Sequence, residues 1–79
     1  MTPEQARHAV EESLVKVAPD ADLGSLGPGA DLRDSLELDS LDFLSFVEAL
    51  SEQAGRRIDE DDYPQLATMA SAVKFLAAR

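Results

Sequence analysis

Three segments of the chain repeat apolar residues every three or four positions, and no segment alternates apolar and polar residues as a β-strand does. Helical spacing places the apolar side chains of each segment on one face of an α-helix. The 79 residues include no cysteine, so neither a disulfide nor a thiolate metal site can hold the fold together. We therefore predict one all-α domain over residues 1–79, with a thin core.

The first helix has a well-marked start. Thr2 is the expected N-cap, Pro3 takes the first helical position, and Gln5 stands where a capping box requires Glu or Gln. The Ala18-Pro19 pair ends the helix, because the residue before a proline avoids helical backbone angles. Its predicted inward face carries Ala6, Val10, Leu14 and Val17.

A connection rich in glycine and proline runs from Pro19 to Asp39 and is too broken for regular structure. Connections of about twenty residues inside a small domain are usually functional or disordered. This one carries leucines that favour an ordered loop packed on the core, namely Leu23, Leu26, Leu32, Leu36 and Leu38.

The second helix is predicted in "SLDFLSFVEALSEQAG" and ends at Gly55, a residue suited to the left-handed position after a helix. Leu41 departs from its pattern, because it projects among polar residues at the start of the helix. The predicted inward arc holds Phe43, Leu44, Phe46, Val47, Leu50 and Ala54, and the outward arc holds Asp42, Ser45, Glu48, Glu52 and Gln53.

The rest of the chain predicts a short helix and a final longer one. Ile58 is an isolated apolar anchor, and Pro64 is expected to limit the helical segment around residues 61–63 to about a turn. Thr68 is the expected N-cap of the last helix. One face of that helix carries Met69, Val73 and Leu76, with Lys74 and Arg79 near its C-terminal end.

The chain is strongly acidic. Sixteen Asp and Glu against seven Lys and Arg give a net charge of −9, which would repel nucleic acid and anionic membranes. We therefore expect no nucleic acid and no membrane as partner, and basic protein surfaces instead. The chain shows no apolar run long enough to span a bilayer and no signal-like amino terminus, so a cytoplasmic location is the expectation. No sequence feature indicates oligomerisation, so we expect a monomer.

The triplet Asp-Ser-Leu occurs twice in "DSLELDSLDF", centred on Ser35 and on Ser40. Helical periodicity begins directly after Ser40 but not after Ser35. Ser40 is therefore expected at a helix amino terminus, where unpaired N–H groups and the helix dipole favour a phosphate. Ser35 is expected in the preceding loop, without that support. The plainer alternative is that Ser40 is only a cap or a first-turn residue.

The segment "LELDSLDFLSFVEAL" resembles the attachment motif of the acyl carrier proteins and the related peptidyl carriers. The resemblance extends over the whole chain, because the first helix, long loop, motif helix, isoleucine after a glycine, short acidic helix and closing helix follow that family's order. It implies a four-helix bundle of acyl-carrier type, with a long loop between helices one and two and a short third helix.

By this resemblance, a phosphopantetheinyl transferase would attach 4′-phosphopantetheine from coenzyme A to Ser40. The thiol of that arm would carry acyl, polyketide or aminoacyl groups as thioesters, which agrees with the absence of cysteine. The transferase and the loading and transfer enzymes would dock through basic patches. The residues that the resemblance implies for docking are Asp39, Leu41, Asp42, Glu48 and Glu52.

Two features depart from carriers of fatty-acid synthesis. Ser45 and Ser51 stand at outward positions where those carriers tend to be acidic. Phe43 and Phe46 face inward, where two rings would reshape or reduce the space for an acyl chain. We therefore expect a free-standing carrier in a specialised pathway, for polyketide, unusual-lipid or aminoacyl transfer.

No residue set indicates an enzyme or a metal site. His8 has no serine or cysteine partner at nearby spacing, and Glu11 and Glu12 point along different faces of a helix. The run "DEDD" at 59–62 lacks the ligand spacing of a calcium loop. Tyr63 is expected to pack the short third helix against the core.

Two other functions are consistent with the composition. A small acidic helical adaptor or inhibitor would bind a basic partner through the second helix, would need no modification and would tolerate Ser40→Ala. A nucleic-acid mimic that inhibits a basic protein has only the net charge in its favour. It would bind with strong salt dependence and no requirement for a particular serine.

The charge distribution predicts that salt stabilises the fold. Residues 31–62 hold eleven acids and three arginines, a net charge of −8, so these carboxylates should repel one another at low ionic strength. The melting temperature, measured by calorimetry, is expected to rise on addition of sodium chloride or a divalent cation. A melting temperature indifferent to salt would mean that these acids are not close together in space.

Overall fold

The computed structural model describes residues 1–78 and confirms the all-α prediction for that range. Its elements are α1 (Pro3–Val17), a 3₁₀ helix (Leu23–Ser25), α2 (Leu32–Ser35), α3 (Ser40–Ala54), a second 3₁₀ helix (Glu60–Leu66) and α4 (Met69–Ala77). The four longest are the predicted helices in their predicted order, with the second 3₁₀ helix as the short third one. Within residues 1–78 no helix is long and apolar enough to cross a bilayer.

The predicted caps set the ends of the helices. At the start of α1, the Thr2 hydroxyl accepts the N–H of Gln5 at 3.1 Å, and the Thr2 N–H donates to the Gln5 side chain at 2.9 Å. Thr68 caps α4 in the same reciprocal way. Gly55 ends α3 with a φ of 66°, which glycine adopts without steric cost. Lys74 lies in the last turn of α4, whereas Arg79 falls outside the described residues.

The core lies where α1 packs against both α3 and α4, and the second 3₁₀ helix contacts α4. Ser13 is the one buried polar residue of residues 1–78, and its hydroxyl donates to the Ala9 carbonyl at 2.8 Å, so its burial leaves no unpaired group. The fully buried apolar side chains are Ala6, Val10, Leu14, Leu32, Phe46, Leu50, Leu66 and Ala72.

The connection between α1 and α3 is ordered and packed on the core, as predicted. Leu32 and Leu38 are buried, and the remaining leucines of the connection are partly buried against the same core. Two backbone hydrogen bonds tie the connection to the start of α4. The Leu32 N–H donates to the Ala67 carbonyl at 2.7 Å, and the Ala70 N–H donates to the Pro28 carbonyl at 3.0 Å.

One turn of helix inside this connection was missed. Asp31 caps α2 by accepting the Asp34 N–H at 3.0 Å, and Ser35 is the last residue of that helix. The prediction that Ser35 lies in a loop was therefore wrong. Four residues are too few to show helical periodicity, and Asp31 at the N-cap was the only local signal.

The short third helix is longer than predicted. It runs through Pro64 to Leu66, so the expected limit of about one turn was wrong. The proline φ of about −65° lies within the range of a 3₁₀ helix, and the missing N–H removes only one hydrogen bond. Ile58 is buried just before this helix, as expected of an apolar anchor.

The inward arc of α3 is narrower than predicted. Phe43, Phe46, Val47 and Leu50 are buried, but Leu44 is 42% exposed, because it lies at the edge where α3 meets the second 3₁₀ helix. Leu41 is 74% exposed, as its departure from the pattern predicted.

Burial at Leu32 should contribute strongly to stability. Leu32→Ala is expected to lower the free energy of unfolding by about 2–5 kcal/mol, since it removes a fully buried side chain and leaves a cavity. The matched control Leu41→Ala truncates the same residue type at an exposed position and should change stability by less than about 0.5 kcal/mol. Urea unfolding measures both, and equal losses would contradict the anchoring role of Leu32.

Candidate functional site

Ser40 is the first residue of α3, and its side chain is exposed. The N-cap is Asp39, whose carboxylate accepts the Asp42 N–H at 2.8 Å and whose carbonyl accepts the Phe43 N–H at 2.9 Å. Because Asp39 caps the helix, the Ser40 hydroxyl is not needed for that purpose. The preference of Asp for N-cap positions was the signal for this arrangement.

The helix start at Ser40 favours a negatively charged group. The first N–H groups of a helix have no acceptor inside the helix. Of these groups, the Asp39 carboxylate accepts only the N–H of Asp42. The N–H groups of Ser40 and Leu41 therefore remain available, and the dipole of the 15-residue helix adds a partial positive charge there. Ser35 has the opposite setting, at the negative end of α2.

A tight reversal of the chain carries Ser40 to the surface. Glu37 has a φ of 54°, the one positive value at a non-glycine residue in residues 1–78. This left-handed backbone costs a residue with a Cβ about 1 kcal/mol or more. The Leu38 N–H donates to the Arg33 carbonyl at 2.9 Å, and the Leu38 side chain is buried. Leu38 therefore anchors the reversal, and Asp39 and Ser40 emerge directly after it.

A surface cavity of about 420 Å³ opens beside Ser40 and is called the Ser40 groove below. The Phe43 and Tyr63 rings pack edge to face with centroids 5.5 Å apart, which confirms the prediction that Tyr63 packs the short helix on the core. The guanidinium carbon of Arg33 lies 5.4 Å from the Phe43 ring centroid, within cation–π range. The groove is lined by Asp31, Arg33, Ser40, Phe43, Leu44, Glu60, Tyr63, Pro64 and Ala67.

The residues expected to contact partners all lie on α3 or at its N-cap. Asp39 and Leu41 are exposed beside Ser40, while Asp42 is half-buried. Glu48 and Glu52 are exposed farther along the helix, with Glu48 about 12 Å from Ser40 along the axis. Both glutamates line a second surface cavity, of about 330 Å³.

Ser45 and Ser51, both expected at outward positions of α3, differ in their exposure to solvent. Ser45 is exposed. Ser51 is half-buried, and its hydroxyl donates to the Arg56 carbonyl just beyond the end of the helix. The outward assignment of Ser51 was therefore wrong, because this hydrogen bond draws the side chain onto the backbone of the following turn.

The other charged candidates form local contacts. His8 is exposed, and its Nε2 atom lies 3.1 Å from Oε1 of Glu12. The Nε atom of Arg7 lies 3.4 Å from Oε2 of Glu11. In the run 59–62, the Asp62 carboxylate accepts the Asp59 N–H at 3.2 Å at the start of the second 3₁₀ helix. Within residues 1–78 no group of three or more His, Cys, Asp or Glu side chains is placed to hold a metal ion.

The sequence profile of the family described as "phosphopantetheine attachment site" matches residues 9–76, most of the chain. The chain belongs to this family. Members carry a 4′-phosphopantetheine prosthetic group, so the protein is a phosphopantetheine-bearing carrier, and the resemblance and the predicted cofactor are confirmed. Carriers of this family interact with transferases and biosynthetic enzymes. No solved structure matches the chain significantly.

The hydrogen bond that Asp39 makes as N-cap should contribute to stability independently of the negative charge of its side chain. Asp39→Ala is expected to lower the free energy of unfolding by about 1 kcal/mol, whereas Asp39→Asn, which can still accept the Asp42 N–H, should retain most of the stability. Asp61→Ala serves as control, since it removes the same charge at an exposed position that makes no cap. If urea unfolding gives equal stabilities for Asp39→Ala and Asp61→Ala, the cap contributes nothing.

Proposed function

We propose that Ser40 is the residue that carries the phosphopantetheine arm. One observation supports Ser40 over Ser35. Ser40 presents an exposed hydroxyl at the positive end of a 15-residue helix that Asp39 already caps, whereas Ser35 lies at the negative end of a single turn. A phosphodiester on Ser40 would meet two available N–H groups. One on Ser35 would find the N–H groups of Ser35 and Leu36 already donating to the Asp31 and Leu32 carbonyls.

In the attachment step, the Ser40 oxygen would attack the phosphorus of coenzyme A that bears the pantetheine. A bond forms between the serine oxygen and that phosphorus, the pyrophosphate bond breaks, and adenosine bisphosphate leaves. The hydroxyl proton passes to a base of the transferase. Residues 1–78 contribute an exposed nucleophile at a helix start, while the base belongs to the transferase, and we propose that the chain is not an enzyme.

The attached arm supplies a terminal thiol that holds acyl, polyketide or aminoacyl groups as thioesters. The chain has no cysteine, so no protein thiol would compete for the cargo. We propose that residues 1–79 act as one carrier domain, because α1, α3 and α4 share a single core. The high net charge favours a monomer, and we propose the cytoplasm as its location.

Partner enzymes are proposed to dock along α3. Leu41 offers an exposed apolar contact next to Ser40, and Asp39 and Asp42 offer carboxylates on the same turn. Glu48 and Glu52 extend the acidic surface along the helix and would meet basic patches on the transferase and on loading and transfer enzymes.

The pathway is proposed to be specialised, for polyketide, unusual-lipid or aminoacyl transfer. Phe43 and Phe46 are both buried, with ring centroids 6.0 Å apart, and Phe43 lines the groove beside Ser40. Two bulky buried rings leave less room for a long acyl chain inside the helices than smaller side chains would.

Attachment is tested by the intact mass of the protein before and after incubation with coenzyme A, magnesium and a broad-specificity phosphopantetheinyl transferase. The wild type and Ser35→Ala are each expected to gain one phosphopantetheine, and Ser40→Ala none. Ser35→Ala is the matched control, because it alters the other Asp-Ser-Leu triplet. No gain in any of the three would favour the unmodified acidic adaptor, and a gain in Ser40→Ala but not in Ser35→Ala would reverse the assignment.

A further inference from the structure

We propose that Arg33 binds the phosphodiester of the arm on Ser40 and directs the first part of the arm into the Ser40 groove. This inference rests on the proposed attachment at Ser40. It adds a positioning residue from α2, outside the attachment motif, and a path for the arm along the protein surface.

The geometry brings Arg33 to the place where the phosphodiester would form. Arg33 and Ser40 line the same groove, and the guanidinium carbon of Arg33 lies 5.4 Å from the Phe43 ring centroid. Phe43 follows Ser40 by three residues on α3, so their side chains are neighbours on one helix face, with Cβ atoms about 5–6 Å apart. A guanidinium over the Phe43 ring is therefore within reach of a phosphate on the Ser40 oxygen.

The charges of the residues that line the groove favour a contact between Arg33 and the phosphodiester. Arg33 is the one cationic residue lining the groove, where the other charged residues are Asp31 and Glu60. The two other arginines of residues 31–62 are engaged elsewhere. The Nε atom of Arg57 lies 3.0 Å from Oδ1 of Asp59. The guanidinium carbon of Arg56 lies 4.6 Å from the Phe75 ring centroid.

Arg33 itself has no carboxylate partner within 4.0 Å among residues 1–78. A guanidinium binds two phosphate oxygens with parallel hydrogen bonds, a geometry that a lysine does not provide. A new negative charge in this acidic region would thus find a matching cation already in place.

The groove also suits the part of the arm that follows the phosphate. Pantetheine carries a carbon with two methyl groups next to its phosphate end, and the groove offers the Phe43 and Tyr63 rings together with Pro64 and Ala67. With the phosphate held by Arg33, these methyl groups would contact the two rings. The arm would then run towards the second 3₁₀ helix and leave Leu41 uncovered for partners.

The test uses the fully loaded protein with a pantetheine arm enriched in carbon-13. Wild type, Arg33→Gln and Arg57→Gln are compared, and loading of each is established first by intact mass. Arg57→Gln is the matched control, because it removes the same charge from a side chain that is 90% exposed and outside the groove. The measurement is the nuclear Overhauser effect between the two arm methyl groups and the ring protons of Phe43 and Tyr63.

These Overhauser effects are expected in wild type and Arg57→Gln, and they should be lost in Arg33→Gln. The phosphorus-31 shift of the phosphodiester should change in Arg33→Gln and not in the control. Loaded wild type without these effects, or Arg33→Gln that keeps them at full strength, would overturn the inference and leave attachment at Ser40 intact. Failure of the wild type to load at all would overturn both proposals.

Discussion

The attachment of the long connection to the core is the constraint on which the site depends. Leu32 is fully buried, and hydrogen bonds at Leu32 and Ala70 tie the connection to the start of α4. Because the connection is fixed at Leu32 and Ala70, the chain reversal at Glu37 and the buried Leu38 bring the backbone back to the surface where α3 begins. The packing of Leu32 and its hydrogen bond to Ala67 thus fix the segment beside Ser40, because Asp31, Arg33 and Ala67 line the same groove as Ser40.

Three adjacent residues at the start of α3, namely Asp39, Ser40 and Leu41, have different structural roles. Asp39 satisfies a helix N–H and fixes where the helix begins, so that Ser40 can keep its hydroxyl exposed and Leu41 can face solvent. A serine that also had to cap the helix would have its oxygen directed at the backbone. An Asp-Ser-Leu triplet at a helix start therefore provides, in order, a cap, an exposed hydroxyl and an exposed leucine, whereas the triplet around Ser35 lies at the end of α2 and provides no N-cap.

Charge has two roles in this small domain. The acids spread along α3 and the second 3₁₀ helix give a surface that repels polyanions and suits basic partners. Arg33 is an exception placed beside the serine, and its contact with the Phe43 ring holds the guanidinium at the groove. The domain is therefore acidic along α3 and still carries one cation beside Ser40, where we propose that the phosphate is attached.

Local signals in the sequence determined the helices α1, α3 and α4, their caps at Thr2 and Thr68, the end of α3 at Gly55 and the exposure of Leu41. Each depends on residues within a few positions, and helical periodicity or capping chemistry is sufficient to show it. The family and its cofactor also followed from the motif around Ser40 together with the order of helices and loop along the chain. Only the tertiary structure decided that α2 forms within the loop, that the 3₁₀ helix continues through Pro64, that Leu44 is exposed and that Arg33 meets Phe43. The four residues of α2 are too few to show periodicity, and a proline fits either a turn or a 3₁₀ helix. The exposure of Leu44 and the contact of Arg33 with Phe43 depend on how α2, α3 and the second 3₁₀ helix lie against one another.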